Sequence, residues 1–195
     1  LKDLGFGLLA ISILTSVQSA TRVFAPYGWG WLSDHTGQRV RLLRYGATAA
    51  LLISVGLWFE LGGLALFAVL LLMFAHTSGM MPMSEAVLAQ HVSRDGAFDA
   101  RRYGRVRVWG SLGFLVTVLV AGAWFDAFGL GSFPAWTALT LAAVALSAWC
   151  LPDVRDAGHV DAPRERVWPV LRQPRMRWFF AAAAFHVMAH IFVYI

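Results

Sequence analysis

Apolar residues run along this chain in six long blocks, at 5–32, 42–61, 64–91, 106–128, 132–151 and 178–195, parted by short polar or glycine-rich breaks. Each approaches the roughly 20 residues that a helix needs to cross a bilayer. None has a single apolar stripe, which fits helices surrounded by lipid rather than resting on a soluble core. The pattern predicts an all-α fold, a polytopic membrane helix bundle with six transmembrane segments. The chain starts at Leu1 and stops inside its last block at Ile195, so a piece of a longer protein is expected.

The breaks are not alike. The first holds Arg39, Arg41 and Arg44, and the third holds Arg94, Arg101, Arg102, Arg105 and Arg107. The fifth holds Arg155, Arg164, Arg166, Arg172, Arg175 and Arg177. These are fourteen of the sixteen Lys and Arg residues, while the breaks around Leu61-Gly62-Gly63 and residues 129–131 carry none. Basic loops stay on the cytoplasmic side, so alternation of this kind predicts a multi-pass protein of the inner (plasma) membrane with its arginine-rich loops in the cytoplasm.

Tryptophans mark the same boundaries. Trp29 and Trp31 end the first block, Trp58 ends the second, Trp109 and Trp124 flank the fourth, Trp136 and Trp149 flank the fifth, and Trp178 opens the sixth. An interfacial aromatic belt is expected from that placement. Trp168 falls apart from these, in an arginine-flanked stretch at 167–171 that suits the inner membrane surface. Residues 152–177, with Pro152, Pro163, Pro169 and Pro174, read as a cytoplasmic linker. The expected organisation is an N-terminal transmembrane bundle over 1–151, this inter-bundle linker over 152–177, and the start of a C-terminal bundle over 178–195.

Composition agrees and removes other classes. Hydrophobic residues make up 58% and charged residues 14%, with a mean hydropathy of +0.62. Soluble domains carry about 25% charged residues. The net charge of +5 would suggest nucleic acid in a soluble protein. Here the topology and anionic lipid account for it, so the expected partner is the lipid bilayer and no nucleic acid. The single cysteine, Cys150, allows no internal disulfide and no thiolate cluster.

Two opposite charges sit well inside the apolar blocks, Arg22 and Glu85. A charge at the centre of a spanning helix costs about 2.5–3.5 kcal/mol on insertion scales, so such residues face an interior and find partners. Helical spacing sets Thr15, Gln18 and Arg22 on one stripe, and Ser78 and Glu85 beside Pro82 on another. Pro26 removes the amide that would bond the carbonyl of Arg22, and Pro82 does so for Ser78. Freed carbonyls at membrane depth are tolerated where they line a cavity. His186 and His190 stand one turn apart with Tyr194 beyond, but no third ligand accompanies them, so no metal and no cofactor is expected. No nucleophile–base constellation appears, so the chain does not read as an enzyme.

The first basic break reads Gly30-Trp31-Leu32-Ser33-Asp34-His35-Thr36-Gly37-Gln38-Arg39. It resembles the G-x-L-x-D-x-x-G-x-R loop of the major facilitator superfamily, departing from it at His35 and Gln38, where basic residues are common. A second stretch, from Pro82-Met83-Ser84-Glu85 to Tyr103-Gly104-Arg105-Val106-Arg107-Val108-Trp109-Gly110-Ser111, is similar to the phenylpropionate-permease-like branch, related to lactose and nucleoside proton symporters. The resemblance implies that the chain holds helices two to six and the start of seven, with a C-terminal six-helix half as partner. It also implies a carrier that alternates access to a midplane site, with Gly30, Asp34, Gly37 and Arg39 forming an inner gate against Arg105 or Arg107. Glu85 is expected to take and release a proton while Arg22 modulates it or meets an anionic solute; Gln18 and His190 are further candidates on that path. The fourth block has Gly110, Gly113 and Gly122 but no proline, which favours symport over antiport.

The expected function is secondary active transport, a proton-coupled symport of a small organic solute such as an aromatic acid, a nucleoside or a sugar. The competing expectation is a non-transporting scaffold or sensor on the same fold, which would need the charges only for folding.

Overall fold

The computed structural model describes residues 7–59, 61–93, 99–153, 169 and 171–194, without the side chains of 187 and 190–194. Arg94, Arg155, Arg164, Arg166, Trp168 and the side chains of His190 and Tyr194 therefore lie outside the described residues. The chain divides into two compact units, Leu1–Ala157 and Gly158–Ile195.

In the first unit α1 spans Leu8–Thr36 and runs unbroken through Pro26. Gly37 stops it: its φ of 61° is left-handed, and its amide closes on the carbonyl of Ser33 at 2.9 Å. Only a residue without Cβ adopts that geometry freely, which is why glycine ends the helix here. Helix α2, Arg39–Ser54, begins at once and continues as a 3-10 turn through Trp58. Its buried Gly46, Ala47 and Ala50 allow close approach of α3 and α6. Helix α3 (Gly63–Thr77) and helix α4 (Met80–Val92) lie in one apolar stretch, parted at Ser78 and Gly79.

Helix α5, Ala100–Phe128, starts where the Asp99 carboxylate accepts the amide of Arg102 at 3.0 Å. Helix α6, Phe133–Cys150, follows a 3-10 turn at Leu130–Ser132. Between them the Trp124 indole donates to Ser132 Oγ at 2.9 Å and packs 5.6 Å from the Trp136 ring.

Two small apolar clusters hold the unit together. Val40, Leu43, Met83 and Val87 join α2 to α4, with Trp29 and Leu151 packed against them. Ala47, Ala145 and Ala148 join α2 to α6. Arg44 reinforces the second joint: its guanidinium donates to the carbonyls of Leu151 at 2.6 Å and Ala148 at 3.3 Å, lies over the Trp149 ring, and stands 3.7 Å from Asp153. By contrast, no residue of α5 is buried. In the second unit, α7 spans Pro174–Tyr194.

The helical expectation holds, with no strand among the described residues. Five of the six expected spans are found among the described residues. Five helical stretches among the described residues are long and apolar enough to cross a membrane, namely Leu8–Thr36, Arg39–Trp58, Gly63–Val92, Ala100–Phe128 and Leu130–Cys150. The expected sixth forms α7, whose side chains at 187 and 190–194 lie outside the described residues, and it is not among these five. Helix α5 also starts well before residue 106, because a polar helix turn can continue beyond the apolar layer once capped.

Candidate functional site

The strongest polar feature within the spanning helices joins α4 to α5. The Glu85 carboxylate lies 2.7 Å from the Arg107 guanidinium, with the two side chains 37% and 46% exposed. Both residues stand about two turns from the ends of their helices that meet at the 92–100 connection. Met83 and Val87, flanking Glu85, pack on Val40 and Leu43 in the opening turns of α2. The pair therefore lies toward the arginine-bearing end of the bundle rather than at its middle.

Arg22 is elsewhere. It occupies the centre of α1, exposed, and among the described residues it has no ion-pair or hydrogen-bond partner. Helix α1 presents three faces. Leu14, Val17 and Thr21 are buried. Leu9, Ile13, Phe24, Tyr27 and Trp31 form an exposed apolar stripe. Thr15, Gln18, Ser19 and Arg22 form an exposed polar stripe between them. Glu85 is thus paired with Arg107, and Arg22 does not meet it in this arrangement.

The loop at 30–39 also pairs differently from the family-based expectation. Asp34 lies 3.5 Å from Arg39, its neighbour across the same turn, and not against Arg105 or Arg107. The reason is local: Gly37 folds the chain back so that Arg39 reaches both Asp34 and, at 3.3 Å, the hydroxyl of buried Ser33. Gly30 sits half-buried on α1, one turn before Asp34, and Arg105 is exposed on α5. His190 lies on α7 in the second unit.

Trp29 departs most from the sequence expectation. It stands about two turns before the end of α1 and is turned into the bundle. Its indole Nε1 donates to the carbonyl of Ala75 at 2.7 Å, and its ring lies against Gly79. Pro82 frees the carbonyl of Ser78, three residues from the one that Trp29 takes.

A family model, the MFS_1 like family, matches residues 1–195, the whole chain. The chain belongs to that family, within the major facilitator superfamily. This facilitator chain is also similar to a maltose permease of Geobacillus stearothermophilus, 34% identical over 114 residues. The match takes in 58% of the facilitator chain but only 28% of the permease, so the chain corresponds to a minor part of that relative's length. No solved structure matches it. Family membership and the apolar helices together make the facilitator chain a multi-pass membrane protein.

Proposed function

We propose that this chain belongs to a secondary active transporter that moves a small neutral polyhydroxylated solute, of the maltose class, together with a proton. In this reading Glu85 and Arg107 engage the solute. The carrying observation is the 2.7 Å contact between their side chains, half-open on helices that cross the membrane. A carboxylate accepts hydrogen bonds from sugar hydroxyls and a guanidinium donates to them, so the pair serves both sides of a hydroxyl at one place. Its charges sum to zero, which suits a neutral solute better than the monoanionic aromatic acid. The similarity to a protein described as a maltose permease supports the same class.

Glu85 is also the proton carrier in this reading. Its carboxylate can hold either Arg107 or a proton, and protonation releases the guanidinium to the solute. Coupling of that kind is reciprocal, because whatever the proton does to solute affinity the solute does to proton affinity. The alternation of arginine-rich and arginine-free loops supports cytoplasmic placement of the basic end in the inner membrane. A second six-helix half of the same protein completes the carrier. Asp34, Arg39 and the α5 arginines act as its inner gate, and Gln18 and His190 stand along the solute or proton path.

The test is uptake of radiolabelled maltose and of protons by the full-length protein in liposomes carrying a pH gradient. Accumulation of both, competed by other sugars but not by 3-phenylpropionate or uridine, is the expected result. Accumulation of 3-phenylpropionate instead would move the substrate class to aromatic acids, and solute binding without any flux would favour the scaffold.

A further inference from the structure

We propose that Trp29 is a positioning residue for Glu85, acting as a pin in the opening between α3 and α4. The inference rests on the reading of Glu85 and Arg107 as the solute pair. Its own evidence is independent of any solute.

The opening is a turn that does not redirect the chain. Ser78 and Gly79 both keep right-handed helical angles, with φ and ψ of −64° and −28°, and −83° and −12°. The chain therefore carries straight on while its ladder of hydrogen bonds loosens. Pro82 has no amide to offer the Ser78 carbonyl, and the next bond, from Met83 to Gly79, is stretched to 3.3 Å. In an unbroken helix the Ala75 carbonyl would accept the amide of Gly79. Here it takes Trp29 Nε1 at 2.7 Å and Ser78 Oγ at 3.2 Å instead. A backbone carbonyl inside a membrane needs such a partner, because no water replaces it.

The fit around the indole is close on every side. A Cβ on Gly79 would fall 2.5 Å from Trp29 Cγ, so only glycine admits the ring. From α2, a Cβ on Gly46 would stand 3.2 Å from the His76 carbonyl and 3.9 Å from the indole. The rings of Tyr45 and His76 flank it, with centroids 6.1 and 5.9 Å away. One side chain of α1 therefore reaches the weakest point of the α3–α4 stretch. Beyond that point α4 carries Glu85 to Arg107, on a helix that is itself unburied. The direction of α4 sets whether the two charges meet, and Trp29 sets that direction. Withdrawal of the indole frees the Ala75 carbonyl for the Gly79 amide and turns α4, parting Glu85 from Arg107.

The experiment uses the full-length protein with Cys150→Ser, spin labels at His91→Cys on α4 and Leu146→Cys on α6, and maltose as the probe. Trp29→Phe keeps a ring but removes the donor. It is expected to shift or broaden the label distance without solute, and to slow maltose exchange about tenfold while leaving the maltose Kd within about twofold. Gly79→Ala is expected to shift the distance in the same sense. A Trp29→Phe distance distribution that superimposes on the wild type overturns the proposal. Loss of maltose affinity in step with exchange, at unchanged distance, overturns it too. Should Trp29→Phe fail to insert, Gly79→Ala, whose added Cβ displaces the indole, takes its place with the same outcomes. If the wild-type protein binds no maltose, the solute assignment fails, and the solute-free distances still decide the role of Trp29.

Discussion

Glu85 and Arg107 meet at 2.7 Å across α4 and α5, and this contact is the principal polar link to a helix with no buried residue. An ion pair between two spanning helices does more than attract. Each charge removes the need to solvate the other, so the two are best understood as one neutral group.

The first prediction follows from that unity. Arg107→Gln leaves Glu85 alone in the span, and Glu85→Gln does the same to Arg107. Each single variant should lower the thermal midpoint in detergent more than the double variant does. The side chains are partly exposed, so the difference should be modest, about 2–4 °C. A double variant whose loss equals the sum of the singles would show two independent residues.

The loop motif gives the second. Asp34 is 62% exposed and its contact with Arg39 is 3.5 Å, a geometry that contributes little to stability. Asp34→Asn should therefore change the midpoint by less than about 2 °C. If the motif gates the full-length carrier, the same variant should still cut transport several-fold. Unchanged initial rate and affinity would leave Asp34 as a local turn residue.

Arg44 is the converse case. Its side chain is 17% exposed and serves two carbonyls at the end of α6, acceptors that no further helix turn would satisfy. Arg44→Ala should lower the midpoint by about 5–10 °C, since two charge-assisted bonds and a ring contact go together. Arg44→Lys should recover only part of this, because a single ammonium lacks the planar fork that spans both oxygens. Equal midpoints for Ala and Lys would place the stabilisation elsewhere.

The existence of five of the expected six spans was legible, because crossing lipid demands a length of apolar sequence that little else requires. Their ends were less so. Residues 100–105 are polar yet helical, since the Asp99 cap lets α5 start before its apolar part. Side-chain partners were harder still. Glu85 and Arg107 lie at equal depths from one connection, and that symmetry was present in the sequence as a sign of contact. The family loop motif points instead to a pairing of the α5 arginines with Asp34. Trp29 was hidden for a different reason: a tryptophan at a membrane boundary and one wedged between helices occupy similar positions in a sequence. Only the opening at Ser78 and Gly79, which keeps helical angles, separates the two cases.

Arg22 supplies the last prediction. It sits at the centre of α1, exposed, on a polar stripe with Thr15 and Gln18, and is unpartnered among the described residues. Lipid does not tolerate an arginine there cheaply, at about 2.5–3.5 kcal/mol on insertion scales, so the stripe faces water or polar groups in the complete protein. The stripe of Leu9, Ile13, Phe24 and Tyr27, on the far side of α1, is the one suited to acyl chains. In a Cys150→Ser background, a cysteine introduced by Arg22→Cys should react with a membrane-impermeant charged thiosulfonate, and one introduced by Ile13→Cys should not. Maltose should slow the first reaction if the stripe lines the solute path. Arg22→Leu should insert at least as well as wild type yet lose most transport, because it relieves the insertion penalty and removes the polar contact together. Reaction of the Arg22→Cys thiol only with a lipid-soluble maleimide would turn the stripe toward the bilayer and exclude Arg22 from the transport path.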